Sequence, residues 1–164
     1  MLVDLLDPVD RKCRGTIVSA GRNYVFTRLQ MLESCMDAIN AATLEYIKTR
    51  KQFGVPIGKF QVLQHRMVDM QTELEQATSM AILASTFADG EDNDDRRRII
   101  AAAKYICARA ARKVAEEAIQ LHGGIGMTWE YNLAHHAKRL VMIAHQFGDD
   151  DHHLKAYAQL MQVA

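Results

Sequence analysis

The chain has 164 residues, 24% of them charged and 49% apolar, which suits one domain with a sizeable core and argues against intrinsic disorder. Its 20 basic and 20 acidic residues cancel, so net charge gives no reason to expect nucleic acid or an anionic membrane as partner. Two prolines and nine glycines are too few for a turn-rich sandwich or barrel and favour long helices.

Residues 1–18 read as an N-terminal extension or the remnant of a preceding domain, followed by a helical unit over 19–164. Strand-type alternation is confined to 14–18. The start lacks a basic run followed by an apolar one, and no stretch reaches the ~18 apolar residues that span a bilayer. Cys13, Cys35 and Cys107 are odd in number and widely spaced, which implies neither a disulfide frame nor a zinc site. Reduced thiols in a cytoplasmic protein are the expectation.

Periodicity predicts a first helix over about residues 19–51, where Val25, Leu29, Leu32, Met36, Ile39 and Tyr46 or Ile47 recur at three- and four-residue steps. Residues 53–58 end it: Gly54 and Gly58 permit positive φ, and Pro56 cannot continue the hydrogen-bond ladder. A second helix covers about 60–89 along Leu63, Met67, Met70, Leu74, Ala77, Ala81, Ala84 and Ala88. The polar run 90–95 breaks it and supplies Asp and Asn caps for the next helix. Arg96-Arg97-Arg98 has the look of a phosphate clamp, but its acidic and apolar neighbours make a solvated helix start the plainer reading.

The third helix, about 96–121, follows Ile99, Ala103, Ile106, Ala110, Val114 and Ala118, and its many alanines allow close approach of neighbours. Residues 123–131 are too glycine-rich to be helical. A fourth helix spans about 133–146, and Gly148 with Asp149, Asp150 and Asp151 interrupts it before a last turn or two over 152–163. Rods of about 30 residues are some 45 Å long. Joined by short connections, they predict an all-α, antiparallel up-and-down four-helix bundle with a broken last helix.

Two of the breaks carry unusual residues for surface turns. One holds Arg50, Gln52, Phe53 and Gln61, the other Gln120, His122, Gly123 and Gly124. Each sets glycine-opened backbone amides beside a side chain suited to phosphate or amide recognition, namely Arg50 and Gln120. Helices one and three end at the same pole of an antiparallel bundle, so the two segments could meet. Alone, these are weak signals, and a glycine pair after a helix is more often an ordinary C-cap.

Together, segments 50–61 and 120–131 resemble the C-terminal helical domain of the acyl-CoA dehydrogenase family of flavoproteins, with the likeness extending over roughly residues 21–160. The resemblance implies a subunit that also has an N-terminal helical domain and a central β domain, with FAD as cofactor lying between domains and across a dimer contact. It implies that Arg50 holds the FAD pyrophosphate and that Gln52, Phe53 and Gln61 line the same cofactor. By the same likeness Gln120, Gly123 and Gly124 receive the adenosine end, while Glu130 and Tyr131 match a family pair read here as structural. The implied substrate is an acyl-CoA thioester of fatty acid metabolism. The implied assembly is a homodimer or tetramer, or a hetero-oligomer with a related flavoprotein.

In the family's reaction a glutamate takes the α-proton while the β-hydrogen leaves as hydride to the flavin N5. The usual glutamate position falls on Phe147, which cannot accept a proton, and a second family position falls near Tyr24. The family's CoA-contacting arginine has no clean match, with Arg22 and Arg28 flanking its place. Three accounts stay open. The base comes from elsewhere, such as Asp149, Asp150 or a partner chain; the chain is a catalytically silent subunit; or the flavin serves another reaction.

The paired histidines His135-His136 and His152-His153 point in different directions on a helix. Asp149-x-x-His152 and Asp150-x-x-His153 have the spacing used in di-iron bundles, but no Glu-x-x-His occurs to complete one, so no metal is expected. His122 suits a hydrogen-bonded structural role as well as a catalytic one.

Overall fold

The structure, a computed structural model, describes residues 21–88 and 93–162. The expected extension over 1–18, its candidate strand included, and part of the turn at 90–95 lie outside the described residues. The helices are α1 (Gly21–Thr49), α2 (Gln61–Ala88), α3 (Asp94–His122), α4 (Asn132–Ala144) and α5 (Asp150–Gln162). A hairpin of β1 (Lys51–Gln52) and β2 (Val55–Pro56) follows α1, and 3-10 turns occupy Ile57–Lys59 and Gly123–Met127. The fold is the all-α bundle expected, with α3 packed against all four other helices.

The stripes read from the sequence face inward. Leu29, Leu32, Met36, Ile39 and Ile47 are buried on α1, and Met67, Met70, Leu74, Ala77, Ala81 and Ala84 on α2. On α3, Ala103, Ala110, Val114 and Ala118 are buried, and so are Cys107 and Ala111, while Ile99 and Ile106 are half-buried. A rod with neighbours on several sides buries more than one narrow stripe, and alanine lets those neighbours come close.

The helix ends have local causes. Asn93 caps α3, its side chain accepting the Arg96 N–H at 2.8 Å, so this helix starts two residues before the periodicity suggests. Arg97 and Arg98 reach back to Asp94 and Asp95 at 3.4 and 2.7 Å. Arg96 departs from the solvated reading: it is buried, and its Nε donates to the Phe87 carbonyl at 2.8 Å, tying α3 to the end of α2. The last rod is broken as expected, but its second piece, α5, is a full 13-residue helix. Asp149 explains that length, because its Oδ1 accepts the His152 N–H at 2.9 Å and the acidic run suits the positive helix start.

The hairpin was not legible as strand. It pairs Lys51 with Pro56 and Gln52 with Val55, and Phe53 (φ 55°) with Gly54 (φ 79°) forms its two-residue turn. Gly58 does not use positive φ. A Cβ there would lie 2.9 Å from the Ile47 carbonyl oxygen, so this glycine serves close approach instead. No helix among the described residues is long and apolar enough to cross a membrane.

Candidate functional site

α1 and α3 end side by side. Tyr46, one turn before Arg50, stacks on His122 with ring centroids 4.3 Å apart, and its hydroxyl donates to the His122 carbonyl at 3.3 Å. The Arg50 N–H donates to the Tyr46 carbonyl at 2.8 Å, and the Arg50 carbonyl accepts from the Ile57 N–H at 2.8 Å. These bonds anchor the base of the hairpin to the helix end. Across from it, Gly123 terminates α3 at φ 63°, and its N–H donates to the Ile119 and Gln120 carbonyls. The 3-10 turn after Gly123 replaces the irregular stretch expected there. Gly126 is buried in it, where a Cβ would meet the Ile119 oxygen and the His122 Cβ at 3.0 Å each.

The seven residues singled out from the sequence, Arg50, Gln52, Phe53, Gln61, Gln120, Gly123 and Gly124, are all exposed on the segments that leave these two ends. Among the described residues, no hydrogen bond or ion pair engages the side chains of Arg50, Gln52, Gln61 or Gln120. Charges on the bundle flanks behave otherwise: Arg66 reaches Glu117 at 2.7 Å and Lys113 reaches Glu73 at 2.6 Å. Phe53 is 90% exposed in left-handed backbone, where a large L-residue is strained, and Phe60 meets it edge-on at 6.1 Å. Gly124 has ordinary φ, and a Cβ on it would meet nothing within 4 Å. The fold of this chain therefore does not require glycine at that position.

His122 is buried, and its Nδ1 lies 2.8 Å from the Ala118 carbonyl. Burial pulls its pKa below the ordinary 6.5, against the opposing effect of that bond. Tyr131 leans on the His122 ring at 5.2 Å and packs on the core, whereas Glu130 is exposed. Trp129 lies with its face 4.4 Å from the Lys138 ammonium and its carbonyl 2.9 Å from His135 Nε2.

A family profile described as "Acyl-CoA dehydrogenase, C-terminal domain" matches residues 20–161. The chain belongs to the acyl-CoA dehydrogenase family. Acyl-CoA dehydrogenase IpdE2 of Mycolicibacterium smegmatis is 37% identical over 105 residues, which cover 64% of this chain and 30% of that protein. Butyryl-CoA dehydrogenase from Megasphaera elsdenii superposes with a TM-score of 0.77 at 26% identity, over 88% of this chain and 36% of its own. The FAD complex of PigA superposes with a TM-score of 0.72 at 30% identity, over 80% of this chain and 34% of PigA. This chain thus spans about a third of the length of these relatives.

Within the acyl-CoA dehydrogenase bundle, the joint between α4 and α5 is closed on itself. Phe147 (φ 63°) and Gly148 (φ 97°) turn the chain through two successive left-handed residues, and Phe147 is 55% exposed. His153 Nε2 lies 3.0 Å from the Phe147 carbonyl, and burial lowers the His153 pKa. Asp149 is committed to capping α5, and the His152 N–H holds its carboxyl below the usual range, which makes it a weaker base. Asp150 pairs with Arg112 at 3.5 Å. Both carboxylates named as alternative sources of the base are thus engaged within the chain.

One group at this joint escaped the sequence reading. Lys104 is 1% exposed, and its Nζ donates to the Ile143 and Ala144 carbonyls at 3.2 and 3.0 Å, at the negative end of α4. Burial pulls its pKa down to about 8. The signal was available: Lys104 stands in helical register with Cys107, Ala111, Val114 and Ala118, an all-apolar stripe apart from itself. Burial also pushes the neighbouring Cys107 thiol up to about 12, which leaves it unreactive.

Proposed function

We propose that this chain is the C-terminal bundle of an FAD-dependent acyl-CoA dehydrogenase and contributes cofactor contacts across a subunit interface. The observation that supports the reading is that the helix ends carrying unengaged Arg50 and Gln120 are joined through Tyr46 and His122, next to a glycine, Gly124, that the chain's own packing leaves free. The residues fit such a group. Arg50 would fork onto the pyrophosphate, while Gln52, Phe53 and Gln61 would flank the cofactor. Gln120, Gly123 and Gly124 would admit the adenosine end, where missing side chains allow backbone approach. When bound, FAD supplies the hydride acceptor for α,β-dehydrogenation of an acyl-CoA thioester. The family's dimer-crossing cofactor geometry leads us to expect self-association of the isolated chain. Its span of about a third of its relatives leads us to expect no FAD retained through gel filtration, and yellow protein after filtration would contradict this.

A second reading has its own support. With Phe147 at the usual base position and Asp149 and Asp150 engaged, the chain acts as a catalytically silent subunit of a hetero-oligomer, holding FAD for a partner. The test uses the assembly isolated from its native host. Arg50→Ala is expected to reduce bound flavin about tenfold or more, while the melting temperature moves by less than about 2 °C. A lower melting temperature with unchanged flavin content would make Arg50 structural and overturn the cofactor reading. Bleaching of the flavin by acyl-CoA in an assembly of this chain alone would exclude silence.

A further inference from the structure

The corner proposed for FAD contains one buried titratable side chain with an atom left over. His122 is 3% exposed, and its Nδ1 lies 2.8 Å from the Ala118 carbonyl. A carbonyl oxygen only accepts, so in the neutral ring Nδ1 carries the hydrogen and Nε2 the lone pair. That Nε2 is sealed from solvent and has no hydrogen-bond partner among the described residues. The ring is held between Tyr46 of α1 at 4.3 Å and Tyr131 at 5.2 Å. The Tyr46 hydroxyl donates to the His122 carbonyl, and the Tyr46 carbonyl accepts the Arg50 N–H. Gly123 comes directly after His122, so one imidazole lies between the helix end that carries Arg50 and the diglycine turn.

We infer that neutral His122 is a positioning residue, pinning the Arg50 end of α1 to the Gly123–Gly124 turn, and that protonation of its Nε2 releases the pin. The inference rests on the FAD reading for its effect on cofactor binding and on this geometry alone for the release. A proton at Nε2 would create a charged donor sealed from solvent with no acceptor among the described residues. Tyr46 and Tyr131 are the titratable groups stacked on the ring, and no carboxylate contributes to lowering or raising its pKa. An unpinned imidazole takes up its proton near 6.5 and the pinned ring only at lower pH, so the pin holds at neutral pH and weakens as pH falls through this range. One proton limits the effect to about tenfold per pH unit. His153 is lowered in the same direction, so global melting does not isolate the pin and the readout must be local.

The experiment is an NMR titration of the isotope-labelled chain, without ligand, from about pH 7.5 to about pH 5. The His122 ring carbon and the Arg50, Gly123 and Gly124 amides are expected to move with one shared midpoint below 6.5. In His122→Phe, which keeps a ring between the two tyrosines, the three amides should stay flat. His122→Asn, which keeps a donor for Ala118, should behave alike. Amides that ignore the His122 titration, or that move equally in both replacements, overturn the pin; if both replacements unfold, the wild-type curve decides. The cofactor reading is tested separately, by the flavin content of the assembly isolated from its native host. Should the pin release on schedule while Arg50→Ala leaves bound flavin unchanged, the cofactor reading fails and the pin stands.

Discussion

The pole where α1 and α3 end and the joint between α4 and α5 are opposites in how they treat polar groups. At the pole, the side chains of Arg50, Gln52, Gln61 and Gln120 make no hydrogen bond or ion pair among the described residues, and Gly124 leaves open space. At the joint, Lys104, Asp149, Asp150 and His153 are each held by a neighbour within the chain. Exposed polar groups without internal partners are available to something outside, whereas a satisfied set defines its own geometry. The comparison separates two kinds of surface: the pole presents side chains that the chain leaves unengaged, and the joint at Phe147 is closed by bonds within the chain.

Three substitutions sharpen that contrast. Lys104→Ala removes two capping bonds and opens a cavity, and chemical denaturation should record a loss of about 2–4 kcal/mol. The Arg50 and Gly123 amide signals should be unmoved by it. If they shift, the two regions are mechanically coupled and the contrast is false. Phe53→Asn should do the reverse, raising stability by up to about 1 kcal/mol, because asparagine tolerates the left-handed turn that phenylalanine occupies under strain. A loss of stability instead would mean that Phe53 serves the fold. Gly124→Ala should change stability by no more than about 0.5 kcal/mol, since no atom awaits the added methyl. A larger loss would return this glycine to a structural role and remove the fit with an outside ligand.

The helices were legible because burial imposes a period that survives in any window of the chain. Leu29 to Ile47 and Met67 to Ala84 could be read as inward stripes without knowing what they met. The two-residue strands of the hairpin could not, because period two needs more residues than they have. Arg96 and Lys104 were missed for a related reason. A charged side chain reads as solvated unless its acceptors are known, and those acceptors are backbone carbonyls of Phe87, Ile143 and Ala144 on other helices. Asp149 read as part of a break, although its acceptor oxygen starts a helix.

The amino-acid order alone carried the all-α class, the inward faces and the family likeness, because periodicity and short motifs are local properties. Whether the two motif-bearing helix ends meet, whether Gly124 is needed by its own chain and whether the aspartates beside Phe147 are idle were settled by packing. Those are questions about which surfaces face each other, and no window of residues contains the other side.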